Sequence, residues 1–409
     1  MKKQLVTKLF AIVALAITII NPLAASGKEL GDLPANKEFD VIKFEKYLKS
    51  KLDGNAVGYT FVVYQNGKYL RSGNYGYAVL KKDDPKMLPA DGYQLLPQTR
   101  MNIASVTKTI TATAILKAIQ DKKVGGYPAI TIDTKVNDFL PPNWTRGPGV
   151  SSLTFKQLMS QYSGMFDNNG LTGISDLRSW IKSGVTRPKT EYKYINGNLA
   201  IFRIILPYMM ASNATRNSWN DLAKTNETEF NKQVSNRYKE IVRELVLTPS
   251  EIKNADMVDK SESPTRWYNQ NNNANGYKEG DWTTSGGGGG WVLSAYELAQ
   301  FMAHLRYDDK ILKPATRKLM DDNMLGWEDP NFWTQFKGKY GDYLGHGGLL
   351  NRNTTTPQTT VGMVSIIINY PSGIQAVLLV NSMGDYPNKA QLMTDAFDSA
   401  VIMKPVITN

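Results

Sequence analysis

Two strand-rich hairpins, one near each end of the chain, set the tightest limit on what it can fold into. The stretch "YTFVVYQNGKYLRSGNYGYAVL" (59–80) has two β-rich runs on either side of Asn66-Gly67, a dipeptide that tolerates the positive φ angles of a tight hairpin. "MVSIIINYPSGIQAVLLVNS" (363–382) repeats the arrangement around Pro371-Ser372-Gly373. Outside them lie two helical patterns. "FDVIKFEKYLKSKLD" spaces Val41, Phe44, Tyr47, Leu48 and Leu52 along one helix face, and "NKAQLMTDAFDSAVIM" reads as a last helix. This order predicts an α/β (α+β) fold: an antiparallel sheet built from both chain ends, flanked by N- and C-terminal helices, with the middle inserted as a helical subdomain. The expected bounds are about 38–104 and 291–409 for the sheet subdomain and about 105–290 for the helical one.

The middle carries helical patterns in "SVTKTITATAILKAIQDKK", in "TFKQLMSQYSGM" with Thr154 as N-cap, and in "TEFNKQVSNRYKEIVRELV". Ser294 and Glu297 form the S-x-x-E of a capping box ahead of another. The five glycines Gly286 to Gly290 lack the Lys-Ser/Thr ending of a phosphate cradle and follow no clear strand, so they read as a flexible or tightly turned loop. The Asn/Gly-rich run before them, from Asn269, reads as long surface loop.

At the N-terminus Lys2, Lys3 and Lys8 precede an apolar run from Leu9 to Ile20, then the small residues Ala24, Ala25 and Ser26. Residues 1–26 are expected to be a signal peptide, leaving 27–409 as a mature periplasmic or secreted protein. A membrane anchor is the alternative, although the run is short of the roughly 20 residues a spanning helix needs. The chain has no cysteine, which excludes a thiol nucleophile, a disulfide framework and a zinc-cysteine site together. Its formal net charge is +11, but the lysines are scattered, so a solvated surface is expected rather than nucleic-acid binding. An association with an anionic cell envelope stays open.

One pair of residues points to chemistry. Ser105 and Lys108 stand three apart at the head of a helical pattern, so the amine can reach the hydroxyl. A serine needs such a base to become a nucleophile. Partial burial and a cationic neighbour would lower the lysine's pKa, and the helix N-terminus would favour an oxyanion. The spacing recurs at Ser179/Lys182, on an amphipathic surface helix, and at Ser250/Lys253, where Ser250 looks like an N-cap. A helix cap beside an ordinary lysine is therefore the bland reading for any of them. Only Ser105 is followed by small and β-branched residues, the pattern of a tightly packed central helix.

"ASVTKTITATAILKA" resembles the nucleophile segment of the serine β-lactamase and penicillin-binding-protein superfamily, in the branch of class C β-lactamases, DD-peptidases and related esterases. That superfamily's second element, Tyr-x-Asn, is matched at Tyr194-Ile195-Asn196, and its third, Lys-Thr-Gly or His-x-Gly, at His346-Gly347-Gly348, in the same order. "QLMSQYSGM" and "GGGWVLSAYELAQFM" are similar to further family segments, and the likeness covers most of residues 40–400. The resemblance implies Ser105 as the acylated nucleophile, Lys108 as its base and Tyr194 as proton carrier to the leaving group and from the deacylating water. It implies Asn196 binding the substrate amide or positioning Lys108, His346 in place of the third-motif lysine, and an oxyanion hole from the N–H groups of Ser105 and Leu349. No metal or organic cofactor is implied.

Tyr194 could instead be a core tyrosine, and His346 could form a triad with Ser105, which would leave Lys108 and Tyr194 idle. His304 reads as a structural helix residue. Gly347 stands where the family usually has a hydroxyl that holds a substrate carboxylate. The expected activity is therefore hydrolysis of an ester, an amide or a D-amino-acid peptide, acting on a small-molecule or peptide substrate. A DD-peptidase or β-lactamase and a non-hydrolytic binding or sensor protein are the alternatives. "LLNRNTTTPQTT" after the third motif and the long segment 205–290 suggest a remodelled pocket rim.

Overall fold

The computed structural model describes residues 30–405 apart from 85–90, 123–124, 126–128, 168–169, 171, 356 and 385–387. The expected signal peptide lies outside the described residues. Nine strands make one sheet: β1 Gly58–Gln65, β2 Lys68–Leu80, β3 Gly92–Gln94, β4 Arg266–Asn269, β5 Tyr277–Lys278, β6 Leu344–Thr355, β7 Gln358–Asn369, β8 Ile374–Val380 and β9 Ser382–Met383. Its antiparallel run is β6-β7-β8-β1-β2-β3, with β4 joined to β7, β9 parallel to β4, and β5 on β4. The two expected hairpins sit side by side at its centre. Asn66 and Gly67 both have positive φ, 51° and 72°, the geometry of a two-residue turn that matches strand twist.

Phe61, Val63, Ile366, Ile368 and Leu378 face one side of the sheet, against Phe44 and Leu48 of α1 (Val41–Leu52) and Phe397 of the C-terminal helix (Lys389–Ala400). Val62, Ile367, Val377 and Leu379 face the other, joining Leu298, Phe301 and Met302 of the helix Ala295–Tyr307 and the core of the middle region. With both faces covered, the central strands read as nearly unbroken apolar runs instead of alternating ones.

Three details depart from expectation. The sheet is not built from the chain ends alone, because β4 and β5 come from the middle segment. The polar run after the third motif belongs to the hairpin, since β6 and β7 are each 12 residues long. Ser250 is no N-cap: it is buried where a helix ends, and its hydroxyl donates to the Val246 carbonyl at 2.7 Å. Both expected caps form, Thr154 with Gln157 and Ser294 with Glu297.

The helix that follows Ser105, α2 (Thr107–Gln120), is buried on nearly every side. A two-stranded ribbon, Met101–Asn102 against Val292–Leu293, ties its entry to the segment after the glycine run.

Candidate active site

Ser105 sits in a tight 3-10 turn, Ala104–Val106, that runs straight into α2. Ala104 has φ +47°, a left-handed conformation that costs a non-glycine residue on the order of 1 kcal/mol or more. The surroundings hold it there. Asn102 Oδ1 accepts the Ala104 N–H at 2.8 Å, and Ser365 of β7 donates its hydroxyl to the Ile103 carbonyl at 2.6 Å. β6 crosses the same turn at Gly348, where a Cβ would stand 2.3 Å from Ser365 Oγ and 2.7 Å from the Ile103 oxygen. A glycine is therefore required for the third-motif strand to lie against the serine turn.

Lys108, one turn along the buried helix, has no exposure. Its Nζ lies 2.9 Å from Ser105 Oγ, 2.8 Å from Asn196 Oδ1 and 2.6 Å from the Gly288 carbonyl. As an ammonium it donates to all three. As an amine it keeps two N–H bonds, to Asn196 and Gly288, and turns its lone pair to the serine hydroxyl, the arrangement a general base needs. Burial lowers its pKa to about 7, while the nearby Glu328 carboxyl pulls it back up. The expected cationic neighbour is absent among these influences: the neighbouring charge is a carboxylate, and burial is complete rather than partial.

The glycine run is not a flexible surface loop. Gly286 to Gly290 are buried; the Gly288 carbonyl holds Lys108 and the Gly287 carbonyl accepts from Thr111 at 2.7 Å. A backbone acceptor carries no residue signature, so sequence reading missed it.

Tyr194 lines the cleft, its ring 5.0 Å from Lys108 Nζ and 6.2 Å from the His346 ring. Burial and the Glu328 charge raise its phenol well above the usual value, against the pull of a hydrogen bond with Ser105. It therefore stays a phenol at neutral pH. His346 is buried in β6 and donates from Nδ1 to its neighbour's carbonyl, Gly347 O, at 2.7 Å. Burial and Lys108 lower its pKa to about 3, so it is a neutral imidazole whose proton sits on Nδ1. The hydroxyl of Ser105 is partnered by Lys108, not by this histidine. Of the third-motif strand, Gly347, Gly348 and Leu349 face the cleft, and Leu349 is 51% exposed.

Glu328 was not found from the sequence. It is fully buried, accepts the Gly347 N–H at 3.0 Å and lies 3.8 Å from His346 Nδ1. Burial raises its pKa, opposed by the Gly347 N–H and by Lys108. Two adjacent carboxyls after a tryptophan in "LGWED" are its only sequence signal. The cleft holds about 340 Å³; Trp333, Gln335, Val364, Ile366 and the start of the C-terminal helix complete it. Its volume suits a small-molecule or short peptide ligand. His304 lies elsewhere, buried in the helix Ala295–Tyr307 with Nδ1 2.5 Å from Asp308.

The sequence model described as Beta-lactamase matches residues 43–397. The chain belongs to the beta-lactamase family. Protein flp of Staphylococcus aureus (strain N315) is 26% identical over 200 residues, 46% of this chain and 37% of that protein, so the match spans about a third of its length. Among solved structures, the octameric penicillin-binding protein homologue from Pyrococcus abyssi aligns with a TM-score of 0.59 at 16% identity, covering 87% of this chain and 77% of that one. EstCE1, a hydrolase with promiscuous acyltransferase activity, aligns with a TM-score of 0.61 at 15% identity over 88% of this chain and 98% of its own. At these identities the structural likeness is one of fold. Ser105, Tyr194, Asn196 and Gly347 to Leu349 line one cleft, with Lys108 bonded to Ser105 and Asn196 beneath it and His346 buried in the same strand.

Proposed function

We propose that this protein is a serine hydrolase that works through a Ser105 acyl-enzyme on an ester, an amide or a D-amino-acid peptide. The observation that carries the reading is the contact of 2.9 Å between Lys108 Nζ and Ser105 Oγ in a buried setting that brings the amine's pKa to about 7. Neutral Lys108 takes the hydroxyl proton as Oγ forms its bond to the substrate carbonyl carbon. The carbonyl oxygen becomes an oxyanion facing the N–H groups of Ser105 and Leu349. Tyr194 then hands its proton to the departing alcohol or amine and is reprotonated from the lysine. In the second half a water gives up a proton along the same route and its oxygen displaces Ser105 from the acyl group. Asn196 fits a positioning role, since its Oδ1 is already committed to Lys108.

One observation favours a second reading, a DD-peptidase or β-lactamase. Gly347 offers no hydroxyl to a substrate carboxylate, but Lys389 lines the same cleft and would be the cation for it, with burial lowering its pKa. Export is proposed from the pattern of residues 1–26 alone; among the described residues no helix is long and apolar enough to cross a membrane.

Intact mass after exposure to a fluorophosphonate, and separately to a penicillin, tests both readings. The fluorophosphonate is expected to add one adduct that Ser105→Ala abolishes. A penicillin adduct or its turnover supports the second reading. A folded protein that takes neither probe overturns the hydrolase mechanism and leaves a binding or sensor role.

A further inference from the structure

Next to Tyr194 stands a row of aromatic rings that the proposed chemistry does not use. Trp333 lines the cleft with Ser105 and meets the Tyr194 ring edge-on, centroids 5.5 Å apart at 73°. Its indole N–H donates to the Tyr192 hydroxyl at 2.7 Å. Tyr192 stacks flat on Phe332, 4.4 Å apart at 11°, and Tyr162 closes edge-on against both. The row thus runs from the proton-carrying tyrosine outward to Phe332, which is 53% exposed.

That exposure is built into the loop. The Asp329 carbonyl accepts the N–H groups of Phe332 and Trp333 at 2.9 and 2.8 Å, its carboxylate accepts the Asn331 N–H at 2.9 Å, and Tyr162 donates to it at 3.3 Å. Trp333, the member of the row that lines the cleft, offers an aromatic face to a ligand there, and Phe332 carries the row on to solvent.

We propose that this row is a specificity wall for the leaving side of the substrate, and that the preferred leaving group carries an aromatic or flat apolar ring. The side follows from Tyr194: the residue that serves the leaving atom is the one Trp333 flanks. The proposal rests on the acyl-enzyme reading. It assigns no role to the acyl side.

Benzyl acetate and ethyl acetate test it. They give the same acetyl-enzyme, so the ratio of their kcat/KM values isolates the leaving side. The ratio is expected to favour benzyl by about tenfold, the scale of one well-placed aromatic contact. Phe332→Ala should lower that ratio about threefold or more, and Phe332→Tyr should restore it. Phe332 is on the surface, so these variants are not expected to unfold the chain. If turnover is too slow to follow, the same ratio is read from how well each ester slows fluorophosphonate labelling. A wild-type ratio near one, or a ratio that Phe332→Ala leaves unchanged, overturns the proposal while Ser105 labelling stands. Loss of Ser105 labelling itself overturns the reading beneath it, and the proposal with it.

Discussion

One residue bears on the chemistry of Ser105 while touching neither its hydroxyl nor the substrate carbonyl in the proposed mechanism. Glu328 and Lys108 are both buried, and each pushes the other toward its charged form while burial pushes both toward neutrality. They titrate as a pair. Replacing Glu328 by Gln keeps an acceptor for the Gly347 N–H and removes the charge. With that charge gone, only the factor that lowers the Lys108 pKa remains, so the amine is free at lower pH. The acid limb of fluorophosphonate labelling, expected near pH 7 in the native protein, should therefore move to lower pH in Glu328→Gln. Rates measured across pH 5 to 9 check this, and a limb that stays in place or moves up would show that the carboxyl does not act on the lysine. The same variant should also lower the Tyr194 pKa, which burial and then the Glu328 charge raise.

Elements enter at the crossing of β6 over the serine turn. Gly348→Ala puts a methyl 2.3 Å from Ser365 Oγ and 2.7 Å from the Ile103 oxygen, so the strand must lift from the turn that carries Ser105. A displacement near 1 Å costs a catalytic alignment roughly 100-fold. Labelling of Ser105 should slow by about that factor, with folding checked by circular dichroism; unchanged labelling would mean the strand plays no part in setting the turn. This crossing also marks how far the sequence could be read. Ser105 and Lys108 were legible because their approach is local, three positions on one helix, and the hairpins were legible because turn residues and apolar runs are local too. The Gly288 carbonyl that fixes Lys108 comes from 180 residues away, and any residue type could supply it. Glu328 likewise reaches the site through tertiary packing that no spacing encodes. The left-handed φ of Ala104 was hidden for a related reason: alanine does not advertise the conformation, and the bonds from Asn102 and Ser365 impose it. His304, the Thr154 cap and the Ser294 capping box fell out as expected, since each depends on neighbours within one turn.

At the scale of the whole molecule, the buried site makes stability depend on pH. His346 is held neutral down to about pH 3, against an ordinary value of 6.5. Between those limits the unfolded chain binds a proton there and the folded chain does not, so stability is present above pH 6.5 and is lost as pH falls toward 3. One proton contributes a slope of about 1.4 kcal/mol per pH unit. His346→Gln keeps an N–H for the Gly347 carbonyl and has nothing to titrate. Taken from pH 7 to pH 4.5, the native protein should lose roughly 3 kcal/mol more than this variant, read from denaturant unfolding at each pH. Carboxylates elsewhere in the chain act on both proteins alike, so the difference belongs to the imidazole. Parallel curves would mean that water reaches the ring and that the strand beneath the cleft opens more readily than its packing implies. A difference of the expected sign would mean that His346 keeps the site free of a second positive charge beside Lys108, which in the proposed mechanism loses its own proton before Ser105 reacts.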